Sequence, residues 1–147
     1  MLNFPMIQIK TARPGDVDIV LTFINELENA TFNRMIFSEL YLENLSSENN
    51  VYLIAWDGKV AAGFLSCHIQ GLLHHNAPVA EIQEMFVARK YRSQGIGERL
   101  LESLRKILKS RKVNQLEVTS NRKRSLAHRF YLANYFTWTS KKFVYKL

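Results

Sequence analysis

The feature that most restricts the fold of this chain is a glycine turn between an apolar strand pattern and a leucine-rich helix pattern. Gly95 and Gly97 are separated by one residue; they follow the apolar run 79–87 and precede leucines at helical spacing. Glycine adopts backbone angles that other residues avoid, and it lets a ligand approach the amides closely. A helix N-terminus directs unpaired N–H groups and the positive end of the helix dipole outward. The sequence therefore predicts an anion site, suited to a pyrophosphate, where this helix begins.

Two other phosphate-binding motifs do not fit this turn. A dinucleotide-binding fingerprint requires a third glycine, but Leu100 occupies that position, and a P-loop requires a Gly-Lys-Ser/Thr run that the sequence lacks. A Gly-x-Gly pair at a helix start is also compatible with a purely structural turn. The identity of the residues around the glycine pair is therefore needed to distinguish a ligand site from a purely structural turn.

The first part of the chain carries the patterns of a strand, two helices and an antiparallel meander. Residues 6–11 alternate like a short strand, and helical patterns follow over 17–27 and 31–45. Residues 51–87 indicate three antiparallel strands, because turn residues such as Asp57-Gly58 interrupt the apolar runs.

The second part returns to the same sheet through a crossover. The leucine-rich helix leads to a strand pattern at 115–119, and the order strand, helix, strand implies a parallel pair. A helix at 125–134 and a final strand region at 136–145 follow. We therefore predict a single domain over 1–147 with a mixed α/β (α+β) fold, antiparallel first and parallel around the glycine turn.

Composition and charge restrict the partners. The chain has 147 residues, of which 47% are hydrophobic and 22% charged, and this composition argues against disorder. Its net charge is +7. Its basic surface could bind nucleic acid, attract a small anion or only aid solubility. The sequence carries no zinc, helix-turn-helix or RNA-binding signature, so nucleic acid is the less favoured partner. A single cysteine, Cys67, and the lack of a signal-peptide or membrane-span pattern favour a cytoplasmic protein without a membrane partner.

The residues around the glycine turn resemble a known family. Residues 85–101 are similar to motif A of the GNAT superfamily of acetyltransferases, whose core is Gln/Arg-x-x-Gly-x-Gly/Ala. Residues 127–136 are similar to motif B of that family, although Asn134 precedes the aromatic pair where the family usually has a glycine. Asparagine tolerates the left-handed conformation of a helix end, so this departure changes little.

The resemblance implies the GNAT acyl-CoA N-acyltransferase fold, with about six to seven strands in a mixed central sheet and about four helices. It also implies acetyl-coenzyme A as the acyl donor. The residues expected to bind this cofactor lie at the end of the strand, in the glycine turn and after the strand at 115–119: Met85, Phe86, Val87, Arg92, Ser93, Gln94, Gly95, Ile96, Gly97 and Asn121.

Further segments over nearly the whole chain resemble the aminoalkylphosphonate N-acetyltransferases. These segments are 26–28 with 31–32, 68–75, 81–84 and 127–131. The narrower resemblance implies the primary amine of a small molecule as acceptor. The candidate substrate-binding residues are Glu26, Phe32, His74 and His75, and the available cationic partners for a phosphonate are Arg34, Lys123 and Arg124. The adjacent histidines lack the spacing of a strong metal motif, so we assign no metal ligand, although the resemblance allows a divalent-metal role there.

The chemistry requires a base for the amine and an acid for the leaving thiolate. An amine attacks a thioester only when neutral, and alkylamines are mostly protonated at neutral pH. Glu81 and Glu84 match active-site carboxylates of histone-type and polyamine-type relatives, respectively. They would face opposite sides of an unbroken strand, but the resemblance implies a bulge that can re-aim a side chain. Tyr131 matches the general acid of the family; the alternatives are surface glutamates and a tyrosine that only packs beside Phe130.

Other interpretations stay open at this point. The acceptor could be a protein or polyamine amine, although the net positive charge of the chain leans away from a polyamine. A basic nucleic-acid-binding module without catalysis would use the run 122–124. A homodimer is compatible with all of these interpretations.

Overall fold

A computed structural model describes residues 6–147, and a five-stranded sheet organises them. Neighbouring strands are antiparallel except for the last pair, which is parallel. In spatial order the strands are β1 (Ile7–Thr11), β2 (Asn50–Asp57), β3 (Val60–Leu72), β4 (Ala77–Val87) and β5 (Leu116–Val118). The predicted meander and the parallel crossover around the glycine turn are both confirmed.

Four α-helices cover the two faces of this sheet in the described part of the chain. They are α1 (Val17–Glu28), α2 (Arg34–Ser46), α3 (Ile96–Ser110) and α4 (Ser125–Ala133). The second helix begins later than its sequence pattern suggested, because the side chain of Asn33 accepts a hydrogen bond from the Ile36 amide at 3.0 Å and caps it there.

The alternation of side chains along the strands divides the core into two layers. Leu53 packs in the layer beneath α3, whereas its neighbours Tyr52 and Ile54 pack beneath α1 and α2. The leucines at helical spacing that marked α3 are all buried in the first layer: Leu100, Leu101, Leu104 and Leu108. None of the helices among residues 6–147 combines the length and apolarity of a membrane span.

A bulge in β4 separates this strand from its parallel neighbour. Ser66 of β3 pairs with Glu84 but the next residue, Cys67, pairs with Ile82, so Gln83 is an extra residue in β4. The pairing of β4 with β5 extends only over residues 80–82 and 116–118. The two strands therefore diverge beyond Ile82, and the predicted bulge is confirmed.

The predicted final strand at 136–145 is wrong, and the sheet has five strands rather than about six to seven. Residues 137–147 adopt no helix or strand. The run Ser140-Lys141-Lys142 interrupts the apolar alternation of this segment, so neither of its faces offers a continuous apolar surface.

Candidate active site

The glycine turn forms a nest of unpaired amides. Ser93 and Gly95 have positive φ angles of 61° and 78°, which bend the chain sharply before α3 begins at Ile96. In the part of the chain that the structure describes, the backbone amides of residues 93–98 donate to no acceptor, and the helical ladder starts with the Arg99 amide and the Gly95 carbonyl at 3.1 Å. These amides are therefore available to an anion at the N-terminus of α3.

The second glycine of the turn serves packing rather than backbone freedom. A Cβ atom on Gly97 would lie 3.0 Å from the Phe130 ring and 3.3 Å from the methyl group of Met85. The absence of a side chain therefore lets α4 and β4 close on the first turn of α3. Gly95, by contrast, has open space where a Cβ atom would be, and its positive φ explains the glycine.

Side chains around the turn hold its backbone in place. The Tyr91 hydroxyl donates to the Asp57 carboxylate at 2.8 Å, and Gln94 Nε2 donates to the Lys90 carbonyl at 3.2 Å. Arg92 Nε donates to the Val87 carbonyl at 3.0 Å. One nitrogen of each side chain, Arg92 Nε and Gln94 Nε2, is thus engaged with the protein backbone, whereas the backbone amides of the turn are free.

A cleft of about 160 Å³ lies where β4 diverges from β5. It is bounded by the end of α1, the bulged part of β4, the end of β5, the loop that precedes α4 and the C-terminal half of α4. Its lining residues are Leu27, Glu28, Ile82, Gln83, Glu84, Met85, Val118, Thr119, Asn121, Arg124 and Tyr131.

The backbone of β4 presents alternate peptide groups to this cleft. The amides of Glu84 and Ala88 donate towards β3, to Ser66 Oγ at 3.0 Å and to the Ala62 carbonyl at 2.8 Å. Because peptide groups point alternately to the two edges of a strand, those of Met85 and Val87 point to the edge opposite β3. This edge of β4 is not paired with β5 beyond Ile82.

Phe86 has a different environment from its neighbours in β4. Its ring packs in the core against Phe23 with the centroids 5.3 Å apart. The structure thus gives Phe86 a packing position, and it is not among the residues that line the cleft.

The bulge brings both candidate glutamates to the same face of the sheet. Glu81 pairs with His68 and Glu84 pairs with Ser66, and these partners share one face because they are two residues apart in β3. Glu84 lines the cleft, whereas Glu81 does not; the Glu81 carboxylate lies 3.5 Å from Thr119 Oγ1 at the rim.

Glu84 is a largely buried carboxyl group with one direct hydrogen-bond partner. Burial raises the pKa of this carboxyl above its usual range, while the hydrogen bond from Ser66 and the nearby His68 lower it. The Ser66 hydroxyl donates to Glu84 Oε2 at 2.7 Å and also accepts from the Glu84 amide. Ser66 therefore fixes both the bulged backbone and the carboxyl group.

Tyr131 stands in the same cleft as Glu84. Burial raises the pKa of its phenol, and the positive charge of Arg124 works in the opposite direction. Its ring also makes edge contacts with Phe130 and Phe136, with centroids 5.6 and 5.5 Å away. Tyr131 is thus both a packed aromatic residue and the phenol of the cleft.

The single cysteine belongs to the core. Cys67 is fully buried, and burial raises the pKa of its thiol to about 12. A thiol in this state is a poor nucleophile, so the cysteine gives the cleft no covalent chemistry.

Comparisons with known proteins identify this combination of fold and turn. The model of the Acetyltransferase (GNAT) family matches residues 21–135. The chain belongs to the GNAT acetyltransferase family. It is accordingly an N-acetyltransferase that uses acetyl-coenzyme A as its acyl donor.

One protein is similar to this GNAT enzyme in sequence, and two solved structures are similar to it in fold. It is 33% identical to an aminoalkylphosphonate N-acetyltransferase of Salmonella typhimurium over 128 residues, which are 87% of this chain and 83% of the relative. A transcriptional regulator from Bacillus halodurans has the same fold, with a TM-score of 0.88 at 19% identity over 96% of this chain and 99% of its own. An aminoglycoside N-acetyltransferase in complex with coenzyme A gives a TM-score of 0.85 at 15% identity, over 96% of this chain and 94% of its own.

The structure does not bring the four candidate substrate-binding residues of this GNAT enzyme into the cleft. Glu26 and Phe32 flank the end of α1, but the cleft is lined by Leu27 and Glu28 instead. His74 and His75 lie in the turn at the far end of the β3–β4 hairpin, where His75 Nε2 is 3.9 Å from a Glu117 carboxylate oxygen. No cluster of metal-ligating side chains occurs among residues 6–147.

Sequence reasoning missed several residues of the GNAT cleft. Ser66 does not line the cleft but holds Glu84 there, and in the sequence it is only a polar residue within an apolar strand. A hydrogen bond from β3 to a glutamate of the next strand leaves no local sequence pattern. Leu27, Glu28 and Thr119 line the cleft because of where α1 and β5 end. Among the three candidate cations, Arg124 lines the cleft, whereas Arg34 is paired with Asp18 at 2.8 Å.

Proposed function

We propose that this enzyme acetylates the primary amine of a small aminoalkylphosphonate, with Glu84 as the base and Tyr131 as the acid. The observation that carries the proposal is that a partly buried carboxyl group and a partly buried phenol line one cleft where β4 and β5 diverge. The Salmonella relative, 33% identical over most of both chains, supports the choice of acceptor.

The chain offers acetyl-coenzyme A a set of backbone groups that fit it. The free amides of 93–98 suit the pyrophosphate. The peptide group of Met85 and the amide of Val87 suit the amides of the pantetheine arm, as an added strand would pair, whereas the Val87 carbonyl already accepts from Arg92 Nε. Asn121 lines the same cleft and is a further contact for the arm. When bound, the cofactor supplies the thioester carbonyl that the amine attacks.

Glu84 is the better of the two candidate bases. It lines the cleft, and its raised pKa lies closer to the pKa of the proton it must accept than that of an ordinary carboxylate. Only the ionised form accepts a proton, so turnover rises as pH rises through this pKa. Glu81 lies on the same face near Thr119, where it can bind a water or the substrate rather than take the proton directly.

Tyr131 is the proton donor in this proposal. Burial raises the pKa of its phenol, which keeps the group protonated at neutral pH and ready to protonate the leaving thiolate. Its contacts with Phe130 and Phe136 fix the ring without using the hydroxyl.

A polyamine is the second candidate acceptor, because two carboxylates, Glu28 and Glu84, line the cleft. Arg124 opposes it, since its positive charge in the same cleft repels the distal ammonium group of a polyamine. Four residues outside the cleft remain predicted substrate contacts: Glu26, Phe32, His74 and His75. Such contacts would require an acceptor that extends beyond the cleft, or a partner chain that brings these residues to a second cleft.

The test is acetyl-coenzyme A-dependent release of thiol with a panel of amines. The panel contains aminoethylphosphonate, a tert-butyl analogue of the same chain length, spermidine and a lysine peptide. We expect the highest kcat/KM for the phosphonate. Preference for spermidine or the peptide would reject the phosphonate assignment and leave the acetyltransferase activity intact.

We also propose a homodimer and a cytoplasmic location. Large apolar side chains are exposed along 135–147, and the outer edge of β5 has no strand partner among the described residues, which supports association of two copies. The buried thiol and the lack of a second cysteine suit a reducing compartment.

A further inference from the structure

The charges that line the cleft are unequally distributed and suggest how an acceptor is oriented. The cleft contains two carboxylates, Glu28 and Glu84, and a single guanidinium, that of Arg124. The remaining lining side chains are uncharged. This combination suits a molecule with an ammonium group at one end and an anion at the other.

Arg124 differs from the other arginine that was a candidate for anion binding. Both nitrogens of the Arg34 fork bond to the Asp18 carboxylate, at 2.8 and 3.1 Å. Across the described part of the chain, the Arg124 guanidinium forms no ion pair and no hydrogen bond with a protein acceptor. Its planar fork is therefore free to bind a ligand.

The backbone of Arg124 is held in place although its side chain is free. The Arg124 amide donates to the Asn121 carbonyl at 3.0 Å, and its own carbonyl accepts from the His128 amide at 3.1 Å. The preceding amide, of Lys123, donates to Asn121 Oδ1 at 2.9 Å. Asn121 thus shapes the loop that presents Arg124 at the start of α4.

The position of Arg124 relative to the acid agrees with a role beside the reacting groups. Arg124 and Tyr131 line the same cleft, and the positive charge of Arg124 lowers the pKa of the phenol. An anion bound to the Arg124 fork would therefore lie inside the cleft that holds the reacting groups. Guanidinium groups bind the oxygens of tetrahedral anions through two parallel charge-assisted hydrogen bonds, which also orients the ligand.

We propose that Arg124 is the specificity-determining residue that binds the anionic group of the acceptor, while the amine end faces Glu84. This inference rests on the proposed function and assigns one residue to the recognition of the phosphonate. It predicts that the enzyme discriminates between acceptors of equal shape by their charge.

The experiment compares Arg124→Ala with Arg129→Ala, which removes an exposed arginine of α4 that does not line the cleft. The substrates are aminoethylphosphonate and an analogue in which an uncharged tert-butyl group replaces the phosphonate. Affinity for acetyl-coenzyme A is measured by calorimetry. Arg124→Ala should lower kcat/KM for the phosphonate roughly 10- to 100-fold, the range expected for lost charge-assisted hydrogen bonds. It should lower kcat/KM for the analogue far less and leave the affinity for acetyl-coenzyme A unchanged, and Arg129→Ala should leave all three quantities unchanged.

Arg124→Lys separates charge from geometry, and we expect it to restore part of the phosphonate activity because it keeps the charge and loses the fork. An equal loss with both amines would assign Arg124 a structural role and overturn the inference. Weaker binding of acetyl-coenzyme A would show instead that Arg124 binds the phosphates of the cofactor. If the unmodified enzyme acetylates the analogue but not the phosphonate, the proposed acceptor fails, and this inference fails with it.

Discussion

At the scale of single residues, Glu84 combines a cost in stability with a proposed use in catalysis. Its carboxyl group is largely buried, and burial raises its pKa despite the hydrogen bond from Ser66. A carboxyl group with a raised pKa stabilises the folded state fully below its unfolded pKa, and this contribution is lost as pH rises through the folded pKa. Ionisation of Glu84 therefore costs the folded state stability as pH rises above the unfolded pKa.

Glu84→Gln should separate these two effects. We expect kcat/KM to fall by roughly 10²- to 10⁴-fold, the range typical of a lost general base. We also expect Tm to rise relative to the unmodified enzyme at neutral and alkaline pH, because the amide carries no charge to bury. The gap in Tm should close in acid, where the glutamate is protonated in both states; calorimetry over a pH series measures it.

Glu39→Gln on the exposed surface of α2 is the matched control and should change neither quantity. A Glu84→Gln enzyme with undiminished turnover would contradict the role of base, whatever its stability. In that case the same substitution at Glu81 becomes the decisive measurement.

Tyr131→Phe tests the proton donor without removing the aromatic packing. The ring keeps its contacts with Phe130 and Phe136, so fold and cofactor affinity should be preserved. We expect kcat to fall by roughly two orders of magnitude or more, since the leaving thiolate loses its acid. Steady-state kinetics measures kcat, and calorimetry measures the affinity for acetyl-coenzyme A. A variant with the same kcat as the unmodified enzyme would contradict the role of Tyr131 as the acid.

Single residues also show where sequence reasoning stops. The turn at 92–97 could be predicted because a positive φ and a free helix N-terminus are local properties of glycine and helix. Its second glycine stays a predicted cofactor contact, but that it also allows Phe130 to approach α3 could not be predicted from the sequence. Ser66 was missed for the same reason, since both contacts join residues that are far apart in the chain.

At the scale of secondary-structure elements, the bulge at Gln83 decides whether a cleft exists. The extra residue bends β4 away from β5 after three paired positions. A straight β4 would continue its ladder with β5 and satisfy the peptide group of Met85 and the amide of Val87 within the protein. The site thus depends on one residue that breaks the regular pairing.

Deletion of Gln83 should therefore abolish acetyl-coenzyme A binding while the enzyme still folds. Removal of the extra residue restores regular pairing and keeps Glu81 and Glu84 on one face, so only the divergence of the strands is lost. Gln83→Ala is the matched control, because it keeps the residue count and should bind the cofactor normally. Calorimetry measures binding and far-UV circular dichroism checks the fold; a deletion variant that binds with unchanged Kd would contradict the idea.

Helices and strands could be predicted where the periodic pattern of apolar residues lies within the element itself. Buried leucines every three or four residues marked α3, and turn residues between apolar runs marked the meander. The final strand was wrong because aromatic and β-branched residues at 136–145 favour a strand, whereas a strand also requires a partner edge and a buried face. Neither requirement can be evaluated from the segment alone.

At the scale of the whole molecule, the C-terminal segment is the clearest sign of a surface that this chain does not cover by itself. Trp138, Phe143 and Tyr145 are 74, 90 and 87% exposed, an arrangement that costs free energy in water and that association would relieve.

Replacement of Phe143 and Tyr145 together by serine should convert the proposed dimer to a monomer with unchanged circular dichroism. Lys142→Ser is the control from the same segment. Light scattering over a dilution series measures the mass, and an unmodified enzyme that is monomeric up to micromolar concentrations would show that these side chains serve another purpose.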